Sequence, residues 1–341
     1  MEEGSRLVAE SPSYTKAEDK LYRLAGAAIS DTTLWRIFGE VGEQSLAILE
    51  GEEAASSAPI EEEEQAGMER VEAFDPLIGE RASTSVDGTM VLTREEGWKE
   101  VKGVTVSVIE EGPGRNKRSR HHSEAARSAA TEPEIHLTRH SYRLRLASAD
   151  DFALVQYAEA DRRRLQYARD LASVNDGAPW CWRITIDNLP EAIEILDWAH
   201  ALGHVAAVGQ AAFGEESAEA EAWYKEVKDV LWEGAVEQLL GEKWQKLPRR
   251  QRQRGKTIRN GRAYFREHKD RMRYKTFREQ GYPIGSGVVE SACKNVVQWR
   301  MKRGGARWSK ERVNPMLAVL GELHSGRWDE LWGRVRLLRC A

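Results

Sequence analysis

The chain has 341 residues, of which 41% are hydrophobic and 31% charged, as is typical of one or two soluble globular domains. No apolar run approaches the ~20 residues of a membrane-spanning helix, and the acidic N-terminus lacks the features of a signal peptide. The three cysteines, Cys181, Cys293 and Cys340, are too widely spaced for a zinc ribbon or a disulfide framework, so we expect a cytoplasmic protein.

The net charge of −4 conceals an uneven distribution. Residues 243–312 contain 22 Lys or Arg and only 5 Asp or Glu. Because Lys and Arg neutralise phosphates, this segment is typical of a nucleic-acid-binding protein. Interleaved aromatic residues that could stack on bases favour this interpretation over a solvated, ion-paired helical surface. They are Trp244, Tyr264, Phe265, Tyr274, Phe277, Trp299 and Trp308.

The N-terminal part predicts helices followed by a linker. Apolar residues recur every three to four positions over residues 16–50, and a Ser30-Asp31 capping signal precedes the second periodic run. Residues 1–50 are therefore predicted to be a helical segment. Residues 51–82 begin with an acidic stretch that is poor in apolar residues, which predicts an acidic linker.

The next part predicts an α/β core over residues 83–189. Alternating Val and Thr over 83–112 predict two strands joined by a turn, and residues 135–147 predict a third strand. The intervening residues 113–133 are polar and predict a surface loop. Residues 148–171 have the pattern of an amphipathic helix, and residues 172–185 predict a short strand followed by a turn.

The remaining residues predict a mostly helical structure. From Pro190, which suits a first helical turn, a helix is predicted to about residue 214, and residues 217–280 continue as increasingly basic helices. The turn Gly285-Ser286-Gly287 opens a further helix that Gly304-Gly305 closes. Residues 281–341 are predicted to return to the core.

Three acidic residues occupy positions that suggest chemistry. Asp87 and Asp176 each follow a predicted strand and precede a glycine, and Glu290 lies one turn into the helix after Gly287. A glycine after an acid allows a sharp turn, which would present the carboxylate at the sheet edge where the sites of α/β proteins gather. A single Asp-Gly pair usually marks only a turn, but three such acids beside a basic segment are more specific.

Phosphoryl transfer on nucleic acids commonly uses two divalent cations about 4 Å apart, which explains why a nucleic-acid-binding protein would collect carboxylates. Mg²⁺ (or Mn²⁺) prefers oxygen ligands and keeps several waters, so two or three carboxylates suffice. We therefore expect Asp87, Asp176 and Glu290 to hold two Mg²⁺ ions while Lys and Arg side chains hold phosphates.

Several segments resemble the ISKra-type bacterial insertion-sequence transposases, in order, over roughly residues 25–335. They are "SVDGTM", "GWKEVKGVTV", "NDGAPWCW", "LPEAIEILDWAHALGH", "YPIGSGVVESACKNVVQWRMKRGGARWS", "VNPMLAVL" and "RWDELW". The resemblance implies a ribonuclease H-like mixed sheet with flanking helices, interrupted by an all-helical basic insertion over residues 190–280. It also implies that Asp87, Asp176 and Glu290 form the DDE catalytic triad.

The family implies DNA cleavage at the element's ends, followed by attack of the 3′-OH on target DNA. It also implies a homodimer or larger oligomer on DNA, associated with the bacterial nucleoid. Residues 1–50 resemble only the last part of the family's helix-turn-helix-like N-terminal region. Two other functions are a truncated, non-catalytic DNA-binding remnant and a metal-dependent nuclease that only hydrolyses. The expected phosphate contacts are Lys294, Arg300, Lys302, Arg303, Arg249, Arg250, Arg252 and Arg254, with Trp299 or Trp308 stacking nearby.

Asp197 and His200 form an Asp-x-x-His element that resembles one found after the second aspartate in several DDE transposase groups. With His204 they fall on one helical face. They could bind a metal, but Mg²⁺ sites use few imidazoles. We therefore expect a structural hydrogen-bonded pair near the site.

Overall fold

The computed structural model describes residues 1–57, 72–112, 134–249 and 255–340. A mixed five-stranded sheet with strand order β3-β2-β1-β4-β5 forms the centre of the molecule. β1 to β3 are antiparallel neighbours, whereas β4 and β5 run parallel to β1. The predicted α/β class is confirmed. The strands are β1 (Arg81–Thr93), β2 (Gly97–Gly112), β3 (Glu134–Leu146), β4 (Asp170–Asn175) and β5 (Ile193–Leu196).

Helices surround this sheet, and those within the described residues are all too short or too polar to cross a membrane. They are α1 (Glu2–Ala9), α2 (Tyr14–Ala25), α3 (Asp31–Ser57), α4 (Ala149–Arg162), α5 (Pro179–Asn188), α6 (Trp198–Phe213), α7 (Ala218–Trp232), α8 (Val236–Gln238, continued by π-helical Leu239–Lys243), α9 (Lys256–Glu267), α10 (Tyr274–Glu279), α11 (Gly287–Ser291, continued by π-helical Ala292–Gln298 and by Trp299–Met301), α12 (Lys310–His324) and α13 (Trp328–Cys340).

The N-terminal helices are part of the core. Leu34 and Phe38 of α3 share one hydrophobic cluster with Val297 and Met316 from the C-terminal helices and with residues of the sheet. α3 also continues to Ser57, so the prediction that a linker begins at residue 51 is wrong for residues 51–57. The reason is tertiary: this last part of α3 enters a buried ionic cluster.

Glu159 is central to this ionic cluster. Its carboxylate is fully buried and accepts hydrogen bonds of 3.1 Å from Arg143 Nε, Arg327 Nη1 and Arg327 Nη2. Burial alone would raise the pKa of Glu159, but the charges of Arg327 and Arg143 lower it to about 2. Glu52 of α3 pairs with Arg143 and with Arg162, so the cluster ties α3 to the sheet and to α4.

Two predicted helices have different bounds in the structure. The helix predicted over 148–171 ends at Arg162, and β4 begins at Asp170. The helix predicted from Pro190 is wrong at its start, because Ile193–Leu196 is β5, which pairs in parallel with β4. α6 starts only at Trp198, where Asp197 Oδ1 accepts a 2.7 Å hydrogen bond from the His200 backbone N–H. The helical block therefore follows β5.

The helical block α6–α10 has its own hydrophobic core, which also contacts Trp182 and Leu196 of the α/β part. Most of the aromatic residues of the basic segment are buried in hydrophobic clusters, so they cannot stack on bases as proposed from the sequence. These buried residues are Trp244, Phe265, Tyr274 and Phe277. Trp299, by contrast, is exposed.

Candidate functional site

Asp87 lies in the middle of β1, paired with Gly103 of β2, so the predicted strand end at this position is wrong. It nevertheless lies at a boundary within the sheet, because β1 pairs with β4 only up to Thr84. Asp87 Oδ1 accepts a 2.7 Å hydrogen bond from the Gly88 N–H. A Cβ at Gly88 would meet the carboxylate of Glu100, so this glycine makes room for a neighbouring side chain instead of forming a turn.

Asp176 directly follows β4, as predicted, in a tight turn. Its Oδ1 accepts a 2.8 Å hydrogen bond from the Ala178 N–H at the start of α5. Gly177 has φ +94°, and a Cβ there would lie 2.8 Å from the Tyr264 ring. The Tyr264 hydroxyl donates a 3.1 Å hydrogen bond to the Asp176 backbone oxygen. The helical block therefore supports the turn that carries Asp176.

Glu290 reaches the same place from α11. The pKa of Asp87 is raised, first by burial and then by the negative charges of Asp176 and Glu290, against the hydrogen bonds from Gly88 and Cys293. The three acids are thus close enough to interact electrostatically, although they come from β1, the β4–α5 turn and α11. The Glu290 side chain is 32% exposed, and its only ion pair within the described ranges is a 3.7 Å contact with Lys294.

Two buried thiols border the carboxylates, and sequence reasoning missed both. Cys181 Sγ lies 3.7 Å from Asp176 Oδ1, and Cys293 hydrogen-bonds to Asp87. Burial is the main cause that raises the pKa of each thiol, and the neighbouring carboxylates raise it further. Both sulfurs therefore stay protonated and can donate to the acids. Their wide sequence spacing contained no signal of this arrangement.

Asp197 connects the start of α6 to the turn before α11. Its Oδ2 accepts hydrogen bonds from the Ser286 N–H at 2.7 Å and the Ser286 hydroxyl at 3.0 Å, and its Oδ1 lies 3.0 Å from His200 Nδ1. The Ser286 hydroxyl also lies 3.3 Å from Glu290 Oε1. These bonds outweigh burial and lower the pKa of Asp197. Asp197, hydrogen-bonded to His200, thus positions the turn before the helix that carries Glu290, as expected for a structural pair near the site.

The same residues also form a group that could hold a metal ion. One ligand atom each from Asp197, His200 and Glu290 lie within 4.8 Å of one another. The hydrogen bond to Asp197 is the main cause that raises the pKa of His200, and burial opposes it. His204, which the sequence placed on the same face, instead stacks on Tyr264 with ring centroids 3.8 Å apart.

The expected phosphate-binding residues differ in exposure. Lys294, Lys302 and Arg303 are exposed, as is Arg249. Arg300 is only 4% exposed and lies against the rings of Tyr14 and Trp308, so its prediction as a direct phosphate clamp is wrong. The other three predicted contacts, Arg250, Arg252 and Arg254, lie outside the described residues.

The charge balance at the acids fits a divalent cation. Neither Asp87 nor Asp176 forms an ion pair with a Lys, Arg or His within the described part of the chain. The nearby buried Lys102 instead pairs with Glu100, at 2.6 Å. Carboxylates that repel one another without a cationic partner are the donor set that Mg²⁺ prefers.

No protein-family model matches the chain, and no curated protein is significantly similar to it in sequence.

Proposed function

We propose that the chain is a DDE transposase with a ribonuclease H-like core, acting on the DNA ends of an insertion sequence. The observation that carries the proposal is a pair of thiol contacts: Cys181 Sγ lies 3.7 Å from Asp176 Oδ1 and 3.8 Å from the Val86 oxygen next to Asp87, and Cys293, on the helix of Glu290, hydrogen-bonds to Asp87. These contacts support a site to which β1, the β4–α5 turn and α11 each contribute one carboxylate, beside a basic segment. The sheet order, with two strands parallel to β1 after an antiparallel β1-β2-β3 meander, agrees with the fold that the sequence resemblance implies.

In this proposal Asp87, Asp176 and Glu290 hold two Mg²⁺ ions. Such ions, when bound, activate the attacking oxygen and stabilise the leaving oxygen of the transferred phosphate. The chain's own residues orient the carboxylates. The Ala178 N–H and the Cys181 thiol hold Asp176, the Gly88 N–H and the Cys293 thiol hold Asp87, and Ser286 holds Glu290.

The exposed cations beside Glu290 would hold the DNA backbone. Lys294 lies one turn after Glu290 on α11, and Lys302 and Arg303 follow the end of the same helix. Because phosphate contacts position a duplex without reading its sequence, these residues set where the strand lies and not which strand is chosen.

The proposal is tested with labelled DNA that carries the inverted repeats flanking the gene, a target plasmid and Mg²⁺. We expect the wild-type protein to cleave the labelled strand and join its 3′ end to the plasmid. Glu290→Gln should abolish both reactions and leave DNA binding nearly intact, because it removes one ligand charge and no cation. The matched control is Glu311→Gln, which changes an exposed glutamate of α12 and should react like the wild type.

Each alternative outcome has its own meaning. Cleavage without joining would identify a nuclease, and binding without cleavage would identify a non-catalytic DNA-binding protein. If Glu290→Gln reacts at the wild-type rate, the carboxylate is not a metal ligand and the proposed site is wrong.

A further inference from the structure

A second site is suggested by a cavity of about 610 Å³ between the N-terminal helices and the segment that joins α11 to α12. Its size is within the range of about 300–1,000 Å³ that is typical of sites for small organic groups. Tyr14 and Trp35 line it from α2 and α3, Arg94 lines it from the end of β1, and residues 303–309 form its other wall.

The lining of this cavity carries positive charge and no acid. Five arginines line it: Arg94, Arg300, Arg303, Arg307 and Arg312. Arg312 pairs with Glu43, but the other four have no carboxylate partner within the ranges that the structure describes. The buried Arg143, Arg162 and Arg327, by contrast, all pair with glutamates.

Arg300 adds a buried positive charge to the wall of this cavity, where it lies against the rings of Tyr14 and Trp308. Its guanidinium is almost completely buried, its Nε and Nη2 have no hydrogen-bond partner, and Nη1 makes one 3.4 Å bond to the Pro12 oxygen. A buried cation without a counter-charge is costly. A phosphate in the cavity would supply that charge, while the exposed Arg307 could contact it directly.

An aromatic surface adjoins these cations. The Trp35 side chain lines the cavity and is 43% exposed. Exposed aromatic rings beside a cationic track are the usual binding surface for single-stranded nucleic acid, because every base has a face that can stack. Paired bases of a duplex are already stacked on one another and cannot enter such a cavity.

We propose that this cavity binds an unpaired nucleotide of a DNA strand, with its base against Trp35 and its phosphate near Arg307 and Arg94. The inference rests on the proposed function, since it concerns the same DNA partner. Arg300 lies near the end of the helical segment that also carries Glu290, so the cavity adjoins the same helical segment as that acid.

The test measures binding in EDTA, where no cleavage occurs. The probes are a labelled single-stranded oligothymidylate of ~15 nucleotides, near the upper site size of single-strand binders, and a duplex of the same length. We expect Trp35→Ala to weaken single-strand binding roughly 10-fold, and Trp35→Phe to restore most of it. Arg307→Ala should lower the slope of log K against log salt by about 0.7. Duplex binding should change little in each case.

The matched control is Arg336→Ala, which removes an exposed arginine of α13 outside the cavity and should leave both probes bound as in the wild type. Unchanged single-strand binding in Trp35→Ala and Arg307→Ala would overturn the proposal, and so would an equal loss for both probes. Inorganic phosphate that competes as well as the oligonucleotide would show a free-phosphate site and also overturn it. Because binding is read without metal, these results are independent of whether the wild type cleaves DNA.

Discussion

Asp87→Asn should stabilise the metal-free protein while removing its response to Mg²⁺. In the folded state the pKa of Asp87 is raised, chiefly by burial and also by the charges of Asp176 and Glu290. A folded pKa above the unfolded one means that the ionised carboxylate destabilises the fold at neutral pH. Asparagine removes the charge and keeps an oxygen that can accept the Gly88 N–H bond. The substitution therefore relieves repulsion without leaving a backbone donor unpaired.

The expected gain in stability of Asp87→Asn follows from the surroundings of the carboxylate. Asp87 is half-buried, and like charges at such a site repel by on the order of 1 kcal/mol each. A gain of about 1 kcal/mol in the free energy of unfolding raises Tm by roughly 2–4 °C in a domain of about 150–250 residues. For the wild type, Mg²⁺ at ten times its Kd should add about 1.4 kcal/mol of stability.

The assay is thermal unfolding of both proteins in EDTA and in a Mg²⁺ series. Asp187→Asn is the matched control, because it neutralises an exposed aspartate of α5 and should match the wild type in both conditions. The extra stability of Asp87→Asn over the wild type should shrink as the pH falls, because protonation of Asp87 removes the same charge from the wild type. A variant that is less stable in EDTA, or that keeps the full Mg²⁺ shift, would refute the reasoning.

Three further outcomes test other parts of the structure. Glu159→Gln removes one of the two buried carboxylates that pair with Arg327, Glu322 being the other, and should lower the free energy of unfolding by ~3 kcal/mol in denaturant unfolding. Because the pKa of Glu159 is lowered from 4.5 to about 2, the wild type should lose the same stabilisation as the pH falls through that interval. Gly177→Ala should lower the free energy of unfolding by ~1–3 kcal/mol and reduce DNA cleavage, because residue 177 has φ +94° and an added Cβ would meet Tyr264. The control is Gly203→Ala, whose added Cβ meets nothing within 4 Å, so calorimetry should show unchanged or increased stability. Substituting alanine for Arg249, Arg250, Arg252 and Arg254 together should flatten the salt dependence of duplex binding. An unchanged slope of log K against log salt would show that the basic segment does not contact DNA.

Local sequence patterns predicted the elements whose signals are local. The alternation over residues 83–112 and 135–147 identified β1, β2 and β3, and the Asp176-Gly177 turn was found where the structure has it. α4 begins at Ala149, one residue after the predicted start of that helix. β5 was missed because Ile193–Leu196 is a short apolar run, whose periodicity does not distinguish a buried strand from a helix.

Burial and pairing between distant segments needed the tertiary structure. Arg300 looks in the sequence like any other cation of a basic segment, and only the packing of Tyr14 and Trp308 against it shows that it is buried. Composition likewise could not show that Trp244 and Phe265 belong to a hydrophobic core.

The sequence by itself singled out three acids, because Asp87 and Asp176 each precede a glycine and Glu290 follows the Gly285-Ser286-Gly287 turn, although Asp87 lies inside β1 and not at its end. Only the tertiary structure decided what surrounds them. Cys293 reaches Asp87 from a helix far along the chain, and Asp197 holds Ser286 across 89 residues. Periodicity records which face of an element is apolar, but the partner that covers this face depends on how the whole chain packs.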